Sequence, residues 1–279
     1  MGLSQHPARS PGPLRSLAAR VLLLGGIILA FAAGAWCQRH FDAPAGLWPA
    51  RGAAPSPSLN DGDRLAPAWL HHWLIRDTVI RLQASALPAG VGMLLGDSNI
   101  EGMWWNRLPV EGRECVLVNA GYGGIGVVDL LRRAGGIVEA VRPRFVVLMV
   151  GVNDATTTAD PERWAADYER LVGVATSAGA APILFTVIPP ERGHPWSEFK
   201  SPAMVNRFND RVRGIAGRRG AILIDIASAV VGADGQTRPG TTADGIHPAP
   251  ALYREMATRW LPAAIRDALG RRGEACVSG

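Results

Sequence analysis

Residues 91–104 read VGMLLGDSNIEGMW. A short apolar run at 91–95 is broken by Gly96-Asp97-Ser98, and a helical stretch is expected at 99–104. Apolar runs of this length, without alternation, suit strands buried on both faces. The same pattern recurs at 115–118, 145–150, 183–187 and 221–224, which read as further strands. Helices are expected at 68–86, 126–141, 161–178, 202–217 and 249–269. Strands alternating with helices imply right-handed crossovers and a parallel sheet covered on both sides. Ligands of such sheets bind beyond the carboxyl ends of the strands. The residues that follow each strand are therefore where chemistry is to be sought.

Four strand ends carry polar or glycine-rich blocks. They are Gly96-Asp97-Ser98, Asn119-Ala120-Gly121-Tyr122-Gly123-Gly124, Gly151-Val152-Asn153-Asp154 and, beyond the fifth strand and a loop, Asp244-Gly245-Ile246-His247-Pro248. Each alone is an ordinary turn, and Asp97 suits a helix cap. Together they form a chemical set. A serine hydroxyl is a poor nucleophile until a base takes its proton. Imidazole is the side chain that does this near neutral pH, which points to His247. Asp244, three residues earlier in a glycine-containing loop, can orient the ring and stabilise its charged form. Attack on an ester carbonyl creates an oxyanion. Its donors would be the Ser98 and Gly124 amides and the Asn153 side chain, each such donor typically worth ~10²–10³ in rate.

These blocks resemble those of the SGNH/GDSL hydrolase family, and GDSNIEGMW is similar to its acetylhydrolase-like branch. The resemblance spans roughly residues 90–270. It implies a flavodoxin-like three-layer α/β/α sandwich with a five-stranded parallel sheet. It implies Ser98 as nucleophile, Asp244 and His247 as its partners, and an oxyanion hole of Ser98, Gly124 and Asn153. After Gly124 the family often has Asp and Ser/Thr, where this chain has Ile125-Gly126. The implied activity is a serine esterase that removes a short acyl group, acetyl first, without cofactor or metal. Lysophospholipase, thioesterase and O-acyltransferase activities belong to the same chemistry.

Rival readings exist. Residues 121–126 (GYGGIG) match the dinucleotide fingerprint. The acid expected some 20 residues later would be Glu139, which falls in a helix rather than at a strand end. Asp97, Asn99, Asp154, Asp244 and His247 could converge on a divalent ion, but no H-x-H or H-x-x-x-H spacing accompanies them. A non-catalytic, membrane-tethered binding module would need no such set of residues. Trp104, Trp105 and Trp196 lie on the ligand side, where they either bind substrate by stacking or serve as wall and core. His194 reads as a loop histidine, Asp154 as a loop-fixing carboxylate, and His71 and His72 as surface or edge positions.

The chain has 279 residues, 48% hydrophobic and 19% charged, with three cysteines. That excludes a polar disordered protein and a small disulfide scaffold. The net charge is +5, but residues 1–60 hold five arginines against Asp42 alone, so four of those charges lie there. The near-neutral body gives no reason to expect nucleic-acid binding. Residues 21–37 form 17 positions without a charge, preceded by Arg9, Arg15 and Arg20. This reads as a membrane segment over 17–37 with its charged leader in the cytoplasm. The expected organisation is a signal anchor at 1–38, a Pro/Ala/Gly-rich linker at 39–67 and a catalytic domain at 68–279. The domain would face the periplasm or exterior from a bacterial inner membrane, or be secreted after cleavage near Ala35. Outside the cytoplasm Cys115 and Cys276 are able to pair, but two free thiols fit the sequence equally. Lys200 is the only lysine, which points to a GC-rich bacterial genome.

Overall fold

The computed structural model describes residues 67–277. The expected anchor at 1–38, and all of the expected linker but its last residue, lie outside them. Among the described residues no helix is long and apolar enough to cross a membrane.

Chain order is α1 (Pro67–Ser85), β1 (Gly92–Gly96), α2 (Ser98–Glu101), β2 (Arg107–Val110), β3 (Arg113–Gly121), α3 (Val127–Val141), β4 (Phe145–Met149), α4 (Pro161–Ser177), β5 (Ala181–Phe185), α5 (Pro202–Arg219), β6 (Ile222–Ile224), α6 (Ile226–Val230), α7 (Pro250–Glu255) and α8 (Leu261–Gly270). A 3-10 turn spans Pro195–Phe199. A π turn, Met256–Trp260, joins α7 to α8. It falls just before Pro262, whose missing N–H would leave a carbonyl one turn back unpaired in a regular α-helix.

The strands form one sheet in the order β2-β3-β1-β4-β5-β6. Numbered among themselves, the five parallel strands run 2-1-3-4-5, the flavodoxin-like order. The expectation of a purely parallel five-stranded sheet is corrected by β2. It adds a sixth strand antiparallel to β3, with Leu108 opposite Cys115. The sheet is therefore mixed. β2 escapes a search for apolar runs because it is short, contains Pro109 and buries only every second residue.

Period-two alternation splits the strand side chains between two cores. Met93 and Leu95 of β1 join one, with Trp73 and Ile80 of α1, Leu130 of α3, Tyr168 of α4 and Phe208 of α5. Leu94 joins the other, with Ile100 of α2, Leu252 of α7 and Ile265 of α8. This makes three layers. Burying a Leu, Ile or Phe side chain contributes about 1.5–3 kcal/mol, so both helical layers are held chiefly by these faces. The Trp164 and Phe208 rings stack at 4.1 Å, fastening α4 to α5.

Helix boundaries follow local chemistry. Asp160 accepts from the Glu162 and Arg163 amides before α4, and Ser201 caps Met204 before α5. Both helices have Pro in their first turn, where its missing N–H costs nothing. Cys115 and Cys276 form a disulfide, with Cα atoms 4.9 Å apart. It binds the C-terminal tail to β3, where Val116 also donates its amide to the Val277 carbonyl at 3.2 Å.

Candidate active site

β1 pairs with β3 on one side and β4 on the other, so the connections leave it in opposite directions. Ligands of such sheets bind in the crevice beyond the carboxyl ends of the strands where the order reverses. Asp97 and Ser98 enter it from β1, and Asn153 from the loop after β4.

Asp97 is the N-cap of α2, its Oδ1 accepting from the Asn99 amide at 2.9 Å. Ser98 is therefore the first residue of a very short helix. Its Oγ–H donates to His247 Nε2 at 2.8 Å. His247 Nδ1–H donates to Asp244 Oδ2 at 2.7 Å. A carboxylate can only accept, so Nδ1 carries the proton and Nε2 is left to accept from the serine. Asp244 Oδ1 accepts from the backbone amides of His247 and Ile246, at 3.0 and 3.2 Å. One oxygen thus shapes the loop while the other orients the ring. Partial burial opposes the Asp244 charge, but the His247 ring, its amide and the Ile246 amide outweigh it and hold the carboxyl below its ordinary range.

A buried glutamate supports this loop. Glu191 accepts from the Gly240 amide at 2.7 Å, the Thr242 amide at 2.8 Å and the Thr242 hydroxyl at 2.9 Å. Its own amide donates to the Gly245 carbonyl at 2.8 Å. His194 lies 3.5 Å from Glu191 rather than against Ser98, as a loop histidine should.

Two further loops carry the other expected site residues. Gly124 has φ +70°, a conformation that favours glycine, and its amide finds no acceptor among the described residues. The Ser98 amide is equally open. Asn153 donates one amide proton to the Ile125 carbonyl at 3.0 Å, leaving the second. Asp154 accepts the Val127 amide at 3.1 Å and the Trp164 indole at 3.3 Å. It therefore fixes the loop and occupies the first amide of α3. That is where the dinucleotide reading would have put a phosphate. Burial pushes the Asp154 carboxyl up to about 6 and the fully buried Asp97 carboxyl up to about 7.

Several contributors were not singled out in the sequence. Glu101 accepts from the Gly123 amide and sits 3.0 Å from His72 Nε2, so α2 and α1 jointly hold the glycine loop. Trp73 Nε1 donates to the Gly123 carbonyl at 2.8 Å, and Arg76 donates to the carbonyls of Gly121 and Asn119, both at 2.8 Å. Gly121 must lack a side chain, because a Cβ there would lie 2.1 Å from the Glu101 amide. Trp69 rests on Gly124, its ring 3.0 Å from where a Cβ would stand. What approaches the glycines of 119–124 lies 20–55 residues away, which no local pattern reveals.

Trp104 and Trp105 pack with Tyr253, at ring separations of 5.4–6.0 Å. With Glu101, Met103 and Asn119 they line a cavity of about 470 Å³. Trp104 is 64% exposed there. Trp196 is exposed too, but on the 3-10 turn, outside that lining. Among the described residues no three His, Cys, Asp or Glu side chains are grouped to hold a metal ion.

The chain matches the GDSL-like lipase/acylhydrolase family over residues 94–255. It belongs to that family. Its members hydrolyse ester bonds, and this protein is a carboxylic ester hydrolase of the SGNH/GDSL type. Solved structures share the fold at low identity. A GDSL-like lipase from Bacteroides thetaiotaomicron is 20% identical, with TM-score 0.56, covering 70% of this chain and 98% of its own. A lipase/acylhydrolase from Enterococcus faecalis is 19% identical, with TM-score 0.51, covering 66% and 97%. The acetyl xylan esterase AlAXEase is 20% identical, with TM-score 0.50, covering 64% and 98%. No curated protein matches the chain.

Proposed function

We propose that this hydrolase is a serine esterase that removes short acyl groups, acetyl first, from an oxygen ester through an acyl-enzyme on Ser98. The observation that carries the reading is the hydrogen-bonded line from Ser98 through His247 to Asp244. Ser98 Oγ attacks the ester carbonyl carbon as its proton passes to His247 Nε2. The tetrahedral oxyanion is held by the Ser98 and Gly124 amides and the free N–H of Asn153. The bond to the leaving alcohol then breaks, and His247 returns the proton to that oxygen. Water next gives a proton to His247 and attacks the acyl carbon. The acid departs and the Ser98 hydroxyl is restored. Asp244 stays ionised throughout and stabilises the imidazolium.

The acetyl preference is supported by the wording of residues 96–104 and by an acetyl xylan esterase on the same fold. Exposed Trp104, backed by Trp105, offers a face on which a sugar ring could stack, and Trp196 a second one outside the cavity. A bacterial inner-membrane location, with the catalytic domain in the periplasm or exterior, is supported by the arginine-flanked apolar run at 21–37. The Cys115–Cys276 disulfide supports an oxidising compartment.

The test is hydrolysis of p-nitrophenyl esters from acetate to octanoate. Ser98→Ala and His247→Ala should each reduce turnover by about 10⁴-fold or more while the protein melts cooperatively. Wild-type kcat/KM should be highest for acetate. Full turnover by either variant would overturn the serine mechanism, and a maximum at octanoate would overturn the acyl preference alone.

A further inference from the structure

Lys200 is the only lysine among 29 Lys and Arg residues. It directly follows the 3-10 turn and precedes Ser201, the cap of α5. Its ammonium donates to the backbone carbonyl of Asn153 at 3.2 Å. The next residue continues the clamp, with the Ser201 amide donating to the Ala155 carbonyl at 2.8 Å. Two consecutive residues therefore hold segment 153–155 from outside. Among the described residues no carboxylate lies within ion-pair distance of Lys200, so this ammonium is committed to a carbonyl. Burial pulls its pKa below the ordinary lysine value, against the pull of Asp154 and Asp97. The residue whose carbonyl this half-buried cation holds is the one whose side-chain amide is proposed for the oxyanion hole.

We propose that Lys200 is a positioning residue for the oxyanion hole, its ammonium fixing the Asn153 backbone so that the Asn153 side-chain amide is aimed at the oxyanion. The inference rests on the serine-esterase reading. Asn153 is then held at two points. The Ile125 carbonyl takes one side-chain proton, Lys200 takes the backbone oxygen, and one N–H remains for the substrate. The residue type matters. A compact ammonium on a flexible stem can meet a single carbonyl, whereas a guanidinium presents a wider planar fork. Since the oxyanion exists after the ground state, a misaimed donor costs turnover more than binding.

The experiment uses the full-length protein and p-nitrophenyl acetate. Lys200→Met keeps most of the stem and removes the donor. It should lower kcat by about 10-fold or more with KM within about twofold, and Lys200→Arg should restore it only in part. In an Asn153→Ala background, Lys200→Met should change kcat by less than about twofold, because the group it aims is gone. Cyanate supplies a second route that needs no refolding. Carbamoylating the folded wild-type protein should give the same drop, absent from Lys200→Met treated alike. An unchanged kcat in both Lys200→Met and the carbamoylated protein would overturn the proposal. So would a Lys200→Met loss of the same size with and without Asn153. Ser98→Ala run in parallel separates the two claims. If it retains turnover, the serine reading fails; if it is inactive while Lys200→Met is normal, only the Lys200 role fails.

Discussion

Asp97 stands beside Ser98, the proposed nucleophile, but outside the proposed proton path. It is fully buried, and its Oδ2 has no partner among the described residues. Burial raises its carboxyl from 3.8 to about 7. A raised folded-state value means the folded protein holds the proton more tightly than the unfolded chain. The contribution to stability is complete below about pH 4 and is lost as pH rises through about 7. Asp97→Asn cannot titrate, and its amide oxygen can still accept the Asn99 amide. Relative to wild type, the variant should therefore gain about 2 kcal/mol of stability between pH 5 and pH 8, measured by denaturant unfolding. Parallel curves would show that Asp97 is not neutral when folded. At this scale the sequence was informative about position: it singled out Ser98, Asp244 and His247, which the fold joins by hydrogen bonds, and Asn153 in the loop after β4. It was silent on Glu191, Glu101, Arg76 and Trp69. Their partners are fixed by tertiary approach, and a glutamate in a loop reads the same whether solvated or buried.

The elements were legible in proportion to their apolar periodicity. α3, α4 and α5 are long and amphipathic, and their observed ends fall within two residues of those expected. β2 and α6 are too short to show a period, and β2 is an edge strand on which Pro109 is tolerated. β3 runs further than expected because Arg113, Glu114 and Asn119 extend the strand at its polar ends. The disulfide belongs to this scale as well. Pairing of Cys115 with Cys276 depends on α8 returning the tail to the start of β3, and Arg144, just before β4, also binds the Ala275 carbonyl at 2.6 Å. The bridge closes a loop of 161 residues, for which chain entropy gives about 5 kcal/mol. The Cys115→Ser, Cys276→Ser double variant should lose stability of that order in chemical denaturation. Its kcat should stay within about twofold, because Cys115 is near the start of β3 and the proposed reacting groups lie beyond the other ends of the parallel strands. A loss under about 1 kcal/mol would mean that the tail is held by other contacts.

For the whole molecule, the distribution of charge says more than its total. Four of the five net positive charges lie in the first 60 residues, and the remainder is close to neutral. A net +5 is therefore no argument for nucleic-acid binding by the body of the chain, because the excess lies around the proposed membrane segment. If residues 17–37 anchor the chain, full-length protein should stay with membranes through alkaline carbonate washing, and external protease should reach the catalytic domain only after the outer barrier is opened. Release into the wash, with an N-terminus near Trp36, would instead show cleavage and secretion. The three-layer fold, with Ser98 hydrogen-bonded to His247 and His247 to Asp244, supports placing the proposed chemistry in the described domain. The measurement that tests this most directly is peptide mass spectrometry after exposure to a fluorophosphonate probe. One adduct, on the Ser98 oxygen and matched by complete loss of ester hydrolysis, is the predicted result. Hydrolysis that continues in fully labelled protein, or a stoichiometric adduct on another residue, would contradict the account.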